Sequence, residues 1–124
     1  MGLSLVDPAD IAGVAAAVLA ERRDDRHAGK IHELTGPALI TPREQAGAIG
    51  SALGEPVTFT ELSREAAPQF LTRFMPGPVA DGTLEILGNP LPAEQLISPD
   101  AGYVLGRPPR AFADWAVRRA AAFR

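Results

Sequence analysis

The sequence predicts an α+β fold, a small helix-rich domain with two or three short strands and four or five helices. Three observations lead there. Apolar residues recur at helical spacing in several segments, most clearly after Asp7 and after Thr41. Two short stretches, 30–35 and 56–62, read instead as strands, the first bounded by glycines and the second alternating apolar and polar residues. The 12 glycines and 12 prolines fall mostly between these segments and punctuate them. With 124 residues the chain can bury one modest core, so a single domain over 1–124 is expected.

The first helix is predicted over 7–23. Asp7 suits the N-cap, Pro8 the first helical position and Asp10 the first turn, and Ile11, Val14, Ala15, Val18 and Leu19 then make an apolar stripe that should be buried. The mixed-charge run "ERRDDRHAGK" follows as a solvated helix end and turn. Ile31 and Leu34 lie in a short strand. Thr41, Pro42 and Glu44 form a capping box, and Gly54 ends the second helix, whose buried face would be Ala46, Ile49, Ala52 and Leu53. Val57 and Phe59 alternate with Thr58 and Thr60 in a second strand.

Beyond Ser63 proline cuts the helices short. One is predicted over 69–74 and another over 79–87, the latter with Val79, Thr83, Ile86 and Leu87 on one face and Gly88 as its cap. Residues 89–102, "NPLPAEQLISPDAG", read as a long connection or lid. A last helix over 111–123 would bury Phe112, Trp115, Ala116 and Phe123.

Composition excludes several functions. A net charge of −3 and a pI near 5.3 oppose nucleic-acid binding. Without cysteine there can be no disulfide, thiolate zinc site or cysteine nucleophile, and two histidines are too few for a metal cluster. The apolar run "IAGVAAAVLA" is about half the ~20 residues needed to span a bilayer, and acidic residues precede it where a secretory signal would be basic. A cytoplasmic chain without membrane contact is expected.

Chemistry-bearing residues are sparse. The turn Thr35-Gly36-Pro37 joins a strand toward a helix, where phosphates are often held, but it has one glycine, and Pro37 removes a donor. A structural turn is the expectation. His32 and Glu33 are neighbours in a strand and so point to opposite faces. Tyr103 and Lys30, each the sole residue of its kind, are not at the spacing of a Tyr-x-x-x-Lys dyad. No catalytic, cofactor-binding or metal-ligating residue is therefore assigned. Phe70, Phe74 and Met75 are the candidate lining of a small-molecule pocket, with ordinary core or interface as the alternative. Arg107 and Arg110 could grip an anion or cap helix carbonyls.

In order along the chain, "VDPADIAGVAAAVL" (6–19), "KIHELTGPALITPREQAGAIGSALGEPV" (30–57) and "LGRPPRAFADWA" (105–116) resemble the C-terminal part of NmrA-like proteins, the NAD(P)-binding atypical short-chain dehydrogenase/reductases. The resemblance implies that the helix after Asp7 bridges to a substrate lobe, that the 31–34 strand lies at the edge of a nucleotide sheet, and that a helical segment within 63–100 caps the substrate. The Gly-rich cofactor loop of that family has no counterpart here, so NAD(P)H would require a Rossmann half supplied elsewhere. The implied function is the substrate-binding portion of such an oxidoreductase, inactive alone, with apolar surface exposed along the helix bearing Ile11 and Leu19. The alternative is a free-standing module that binds a protein or small ligand, or that forms a homodimer through the 31–34 strand (Ile31, Leu34) or the 11–19 helix face (Ile11, Leu19).

Overall fold

Asp7 opens the first helix as its side-chain chemistry dictates. Its Oδ1 accepts the Ala9 amide at 2.9 Å, Pro8 occupies a position that needs no amide, and α1 runs over Pro8–Ala20. The computed structural model describes residues 1–21 and 26–124. The expected continuation of α1 through Arg22 and Arg23, and the charged turn at Asp24 and Asp25, lie outside the described residues. At α2, Pro42–Leu53, the capping box forms in full: the Glu44 amide donates to Thr41 Oγ1 at 3.2 Å, and the Thr41 amide to Glu44 Oε2 at 2.7 Å. Gly54 ends the helix at φ 70°, a left-handed conformation that suits glycine.

The proline-rich half is more helical than its sequence suggests. α3 covers Ala66–Leu71, starting earlier than expected because the Ser63 hydroxyl accepts the Ala66 amide and Pro68 fits within the first turn. α4 begins inside "MPGP" and spans Gly77–Gly88, with Pro78 in its opening turn. The supposed long connection holds a 3-10 turn at Pro92–Gln95 and the start of α5, Asp100–Leu105. The last predicted helix divides into α6, Phe112–Arg118, and a 3-10 turn at Ala120–Phe123.

The α+β expectation is overturned: the fold is helical, and its β pairing among the described residues is one antiparallel bridge between Leu3 and Ile40. A strand exists only where a neighbour takes its amides and carbonyls. In the 30–36 segment those groups go elsewhere, the Glu33 amide to Asp100 Oδ2 at 2.8 Å and the Gly36 amide to the Ser4 carbonyl at 3.2 Å. Around Val57 and Phe59 the extended chain lies against α2, with the Arg43 guanidinium 4.6 Å above the Phe59 ring and Val57 beside Gly50. Alternation there arises without a ladder, with Phe59 half-buried and Val57 exposed.

The helices pack in pairs, α1 on α5, α2 on α6 and the final 3-10 turn, and α3 on α4. Their apolar interior is small-featured. Val14, Ala80, Ala101 and Ala116 are buried, whereas the largest fully buried side chain is the carboxylate of Asp10. The stripe expected to be buried along α1 is split: Val14 faces inward, while Ile11 and Leu19 are 45% and 73% exposed. Gly13 lets α1 approach α5 closely, since a Cβ there would lie 2.9 Å from Leu105 Cδ2. No described helix is long and apolar enough to cross a membrane.

Asp10 is neutralised by one short link near the C terminus. Arg107 Nη2 and Arg110 Nη1 each donate to its Oδ1 at 2.6 Å, and the Arg110 amide donates to its Oδ2 at 2.6 Å. Burial pushes the carboxyl pKa up. The hydrogen bonds from the Arg107 side chain and the Arg110 backbone, with the charges of both guanidiniums, outweigh burial and hold it below 3.8. Asp7 is tied in parallel, its Oδ2 accepting from Arg118 on α6. Both carboxylates also sit where the α1 dipole favours negative charge.

These contacts set the pH dependence of stability. Because the folded-state pKa of Asp10 is depressed, its contribution is complete above the unfolded value near 3.8 and is lost as pH falls through the lower folded value. Urea unfolding should show Asp10→Asn costing about 3 kcal/mol at pH 7, and less at pH 3, because the wild type loses part of the same interaction there. Gly36→Ala should also destabilise, by about 1–3 kcal/mol, because its Cβ would fall 1.9 Å from the Leu5 carbonyl oxygen. Gly47→Ala, in open space on α2, should instead stabilise by about 0.5–1 kcal/mol.

Candidate functional site

The α3–α4 hairpin carries the three residues singled out for ligand contact. Phe70 and Phe74 meet edge to face, with ring centroids 5.4 Å apart and planes at 61°. Met75, at the end of the same turn, is half-buried, with its sulfur 3.8 Å from the Thr83 hydroxyl of α4. The structure thus brings Phe70 and Phe74 into contact and sets Met75 against Thr83 of the neighbouring helix. Phe74 is 71% exposed, and with Phe70 it forms an apolar patch on the hairpin. The expected face of α4 is likewise open to solvent, since Val79, Ile86 and Leu87 are exposed while Ala80 is buried.

The concavity of the hairpin is a notch of about 720 Å³ between α3 and α4, lined by Leu62, Arg64, Ala67, Asp81, Leu84 and Glu85 among others. Phe70, Phe74 and Met75 do not line it. α3 and α4 pack on each other and, among the described elements, on no other helix, so patch and notch belong to a unit joined to the remainder through connecting segments.

A second concave region has no counterpart in the sequence expectations. Leu5, Val6, Pro8, Phe112 and Trp115 line a cleft of about 330 Å³, and across Leu5 and Phe112 another of about 260 Å³ runs toward Pro37, Ile40 and Ala48. Phe112 and Trp115, expected in the core, are not fully buried: they tilt against each other with centroids 5.1 Å apart, and Trp115 meets Phe123 at 6.1 Å. The helical spacing of these aromatics is visible in the sequence, but the approach of Leu5 to them depends on the Leu3–Ile40 bridge, for which the local sequence offers no signal.

The polar candidates resolve into structural roles. The Gly36 amide is used by Ser4, and Gly36 itself is needed for the close approach of Leu5. Thr35 Oγ1 accepts the Ser98 amide at 3.0 Å and donates to the Gly36 carbonyl at 3.1 Å. Arg107 and Arg110 do bind an anion, but an internal one, Asp10. His32 makes its contact with His27: His27 Nδ1 is 2.9 Å from His32 Nε2, and His27 Nε2 is 2.8 Å from Glu21 Oε2. The turn through Gly29, φ 69°, brings the two rings together. Among the described residues, no group of three or more His, Cys, Asp or Glu side chains is arranged to hold a metal ion.

Comparison with known proteins adds a context of reductases. No family model matches the chain. It is 36% identical over 122 residues to the (4-alkanoyl-5-oxo-2,5-dihydrofuran-3-yl)methyl phosphate reductase of Streptomyces griseus subsp. griseus, and 34% identical over 124 residues to the NAD(P)H azoreductase of Xenophilus azovorans. Each alignment takes in 98% of this chain and 42% of the relative, so the chain spans less than half the length of either reductase it is similar to.

Proposed function

We propose that this chain is the substrate-binding portion of an NmrA-like, NAD(P)H-dependent oxidoreductase of the atypical short-chain dehydrogenase/reductase type, without hydride-transfer activity of its own. The observation that carries the reading is the alignment of nearly the whole chain with less than half of two reductases. The apolar surface supports it. Ile11 and Leu19 on α1 and Ile31, 95% exposed, present large side chains to solvent, as a lobe does when a further body normally covers it.

The N termini of α1 and α2 do not fit a dinucleotide. A pyrophosphate needs free backbone amides at a helix N terminus. Asp7 fills that position on α1, with Asp10 in the first turn, and on α2 the Thr41 hydroxyl and the Glu44 carboxylate fill it. At the turn before α2 the Gly36 amide is taken, and Pro37 has none. NAD(P)H would therefore be held by the complementary portion. The α3–α4 hairpin would face the substrate as a cap, with Phe70, Phe74 and Met75 offering apolar contact to a small organic molecule.

A graft tests this reading. Replacing the aligned 42% of the Xenophilus azovorans azoreductase with this chain should yield a protein that reduces azo dye with NADPH, whereas isothermal titration of the chain alone with NADPH should give no saturable heat. In the graft, Phe70→Ala/Phe74→Ala should raise KM roughly tenfold, about 1.4 kcal/mol, with kcat little changed. A folded graft that does not oxidise NADPH, or tight NADPH binding by the chain alone, would overturn the proposal. A self-assembling module would instead appear as a dimer in sedimentation and no activity in the graft.

A further inference from the structure

We propose that Glu21, His27 and His32 form a latch that stays closed with no proton or one proton added to its two imidazoles and opens when both are protonated. The His27 side chain is only 9% exposed, and both of its ring nitrogens are engaged. A buried imidazole with two short contacts has few acceptable proton arrangements.

The contacts dictate the tautomers. His27 Nε2 faces the Glu21 carboxylate, a pure acceptor, and so must carry the hydrogen. In the neutral ring Nδ1 is then an acceptor, and His32 must present Nε2–H to it across the 2.9 Å gap. His32 Nδ1 is left with its lone pair and receives the first added proton without disturbing the chain, because imidazolium Nε2–H still donates to His27. The second proton has only His27 Nδ1 to bind. Two N–H groups would then face each other with no acceptor between them, and two cations would sit with ring centroids 5.0 Å apart.

The charged surroundings act on the near end of this chain. Glu21 also receives Arg26 Nη2 at 2.9 Å, so its carboxylate faces both a guanidinium and the His27 ring. Lys30 and Glu33 flank His32 in sequence, and the Asp100 carboxylate, on α5, takes the Glu33 amide.

The latch controls one end of a segment whose other end is held independently. The ring contact straps the turn in which the Lys30 amide donates to the His27 carbonyl at 3.2 Å. Further along, Thr35 is fixed by the Ser98 amide and Gly36 by the Ser4 carbonyl, bonds with no titrating partner. Acid should therefore release the Lys30 and Ile31 end and leave the Gly36 end in place.

Proton-detected and nitrogen NMR of the whole chain tests this. At pH 8 both rings should appear as Nε2–H tautomers. As pH falls into the range where both imidazoles are protonated, the Lys30 amide should lose protection from hydrogen exchange at least tenfold, corrected for intrinsic rate, while the Gly36 amide keeps its protection. His32→Gln cannot be protonated, and its amide can turn either a donor or an acceptor toward His27 Nδ1, so two facing N–H groups no longer arise and the acid-dependent loss at Lys30 should be abolished. An Nδ1–H tautomer for either ring at pH 8, a Lys30 amide indifferent to acid, or an acid response that survives His32→Gln would overturn the proposal.

Discussion

A carboxylate removed from water must be surrounded by donors, and in this protein that requirement fixes how the two ends of the chain meet. Asp10 in the first turn of α1 is fully buried, and its donors come from Arg107 and Arg110, about a hundred residues later. Asp7, one turn earlier, takes Arg118 from α6. An ion pair of this kind gives little net stability relative to an apolar substitute, but each partner strongly disfavours arrangements in which the other is left alone. These clasps thus select one docking of α1 against α5 and tie its N terminus to α6. Gly13 then permits the helices to come close enough for Val14 to be buried.

That solution has a consequence for the surface. Among the described residues the buried apolar side chains are three alanines and a valine, so the larger ones are partly or wholly outside. Single exposed leucines are unremarkable in any protein. Here they are grouped by element: Ile11 and Leu19 on α1, Phe70 and Phe74 on the hairpin, Val79, Ile86 and Leu87 on α4. The chain is ordered by capped helices and charge clasps, with its bulky residues turned outward; under the proposed function another body would cover them. The chain is similar to less than half the length of two reductases.

Local chemistry is legible in the sequence and distant pairing is not. Asp7, Pro8, Thr41, Glu44 and Gly54 act at the helix ends where their side chains and backbone freedom place them, because capping is settled within four residues. The 30–35 segment misleads because glycines bound an extended stretch whether or not it pairs, and 56–62 because alternation arises without a ladder, while a strand also needs a neighbour. Arg107 and Arg110 can be read as anion-binding, but nothing near them indicates that the anion is Asp10. His32 stands beside Glu33 in the sequence, whereas its partner lies across a glycine turn at His27. Phe70 and Phe74 are together as their spacing suggests, yet the notch opens on other residues, since concavity arises from how α3 meets α4.

The most direct test of the organising role of Asp10 is a double-mutant cycle with Arg110, using urea unfolding of Asp10→Ala, Arg110→Ala and the double variant at pH 7. If the buried carboxylate and its link fix the docking of α1, the double variant will be more stable than the sum of the single losses predicts, by about 1.5 kcal/mol or more. Additive losses would mean that the two residues stabilise the fold independently, and would contradict an organising role for the buried carboxylate.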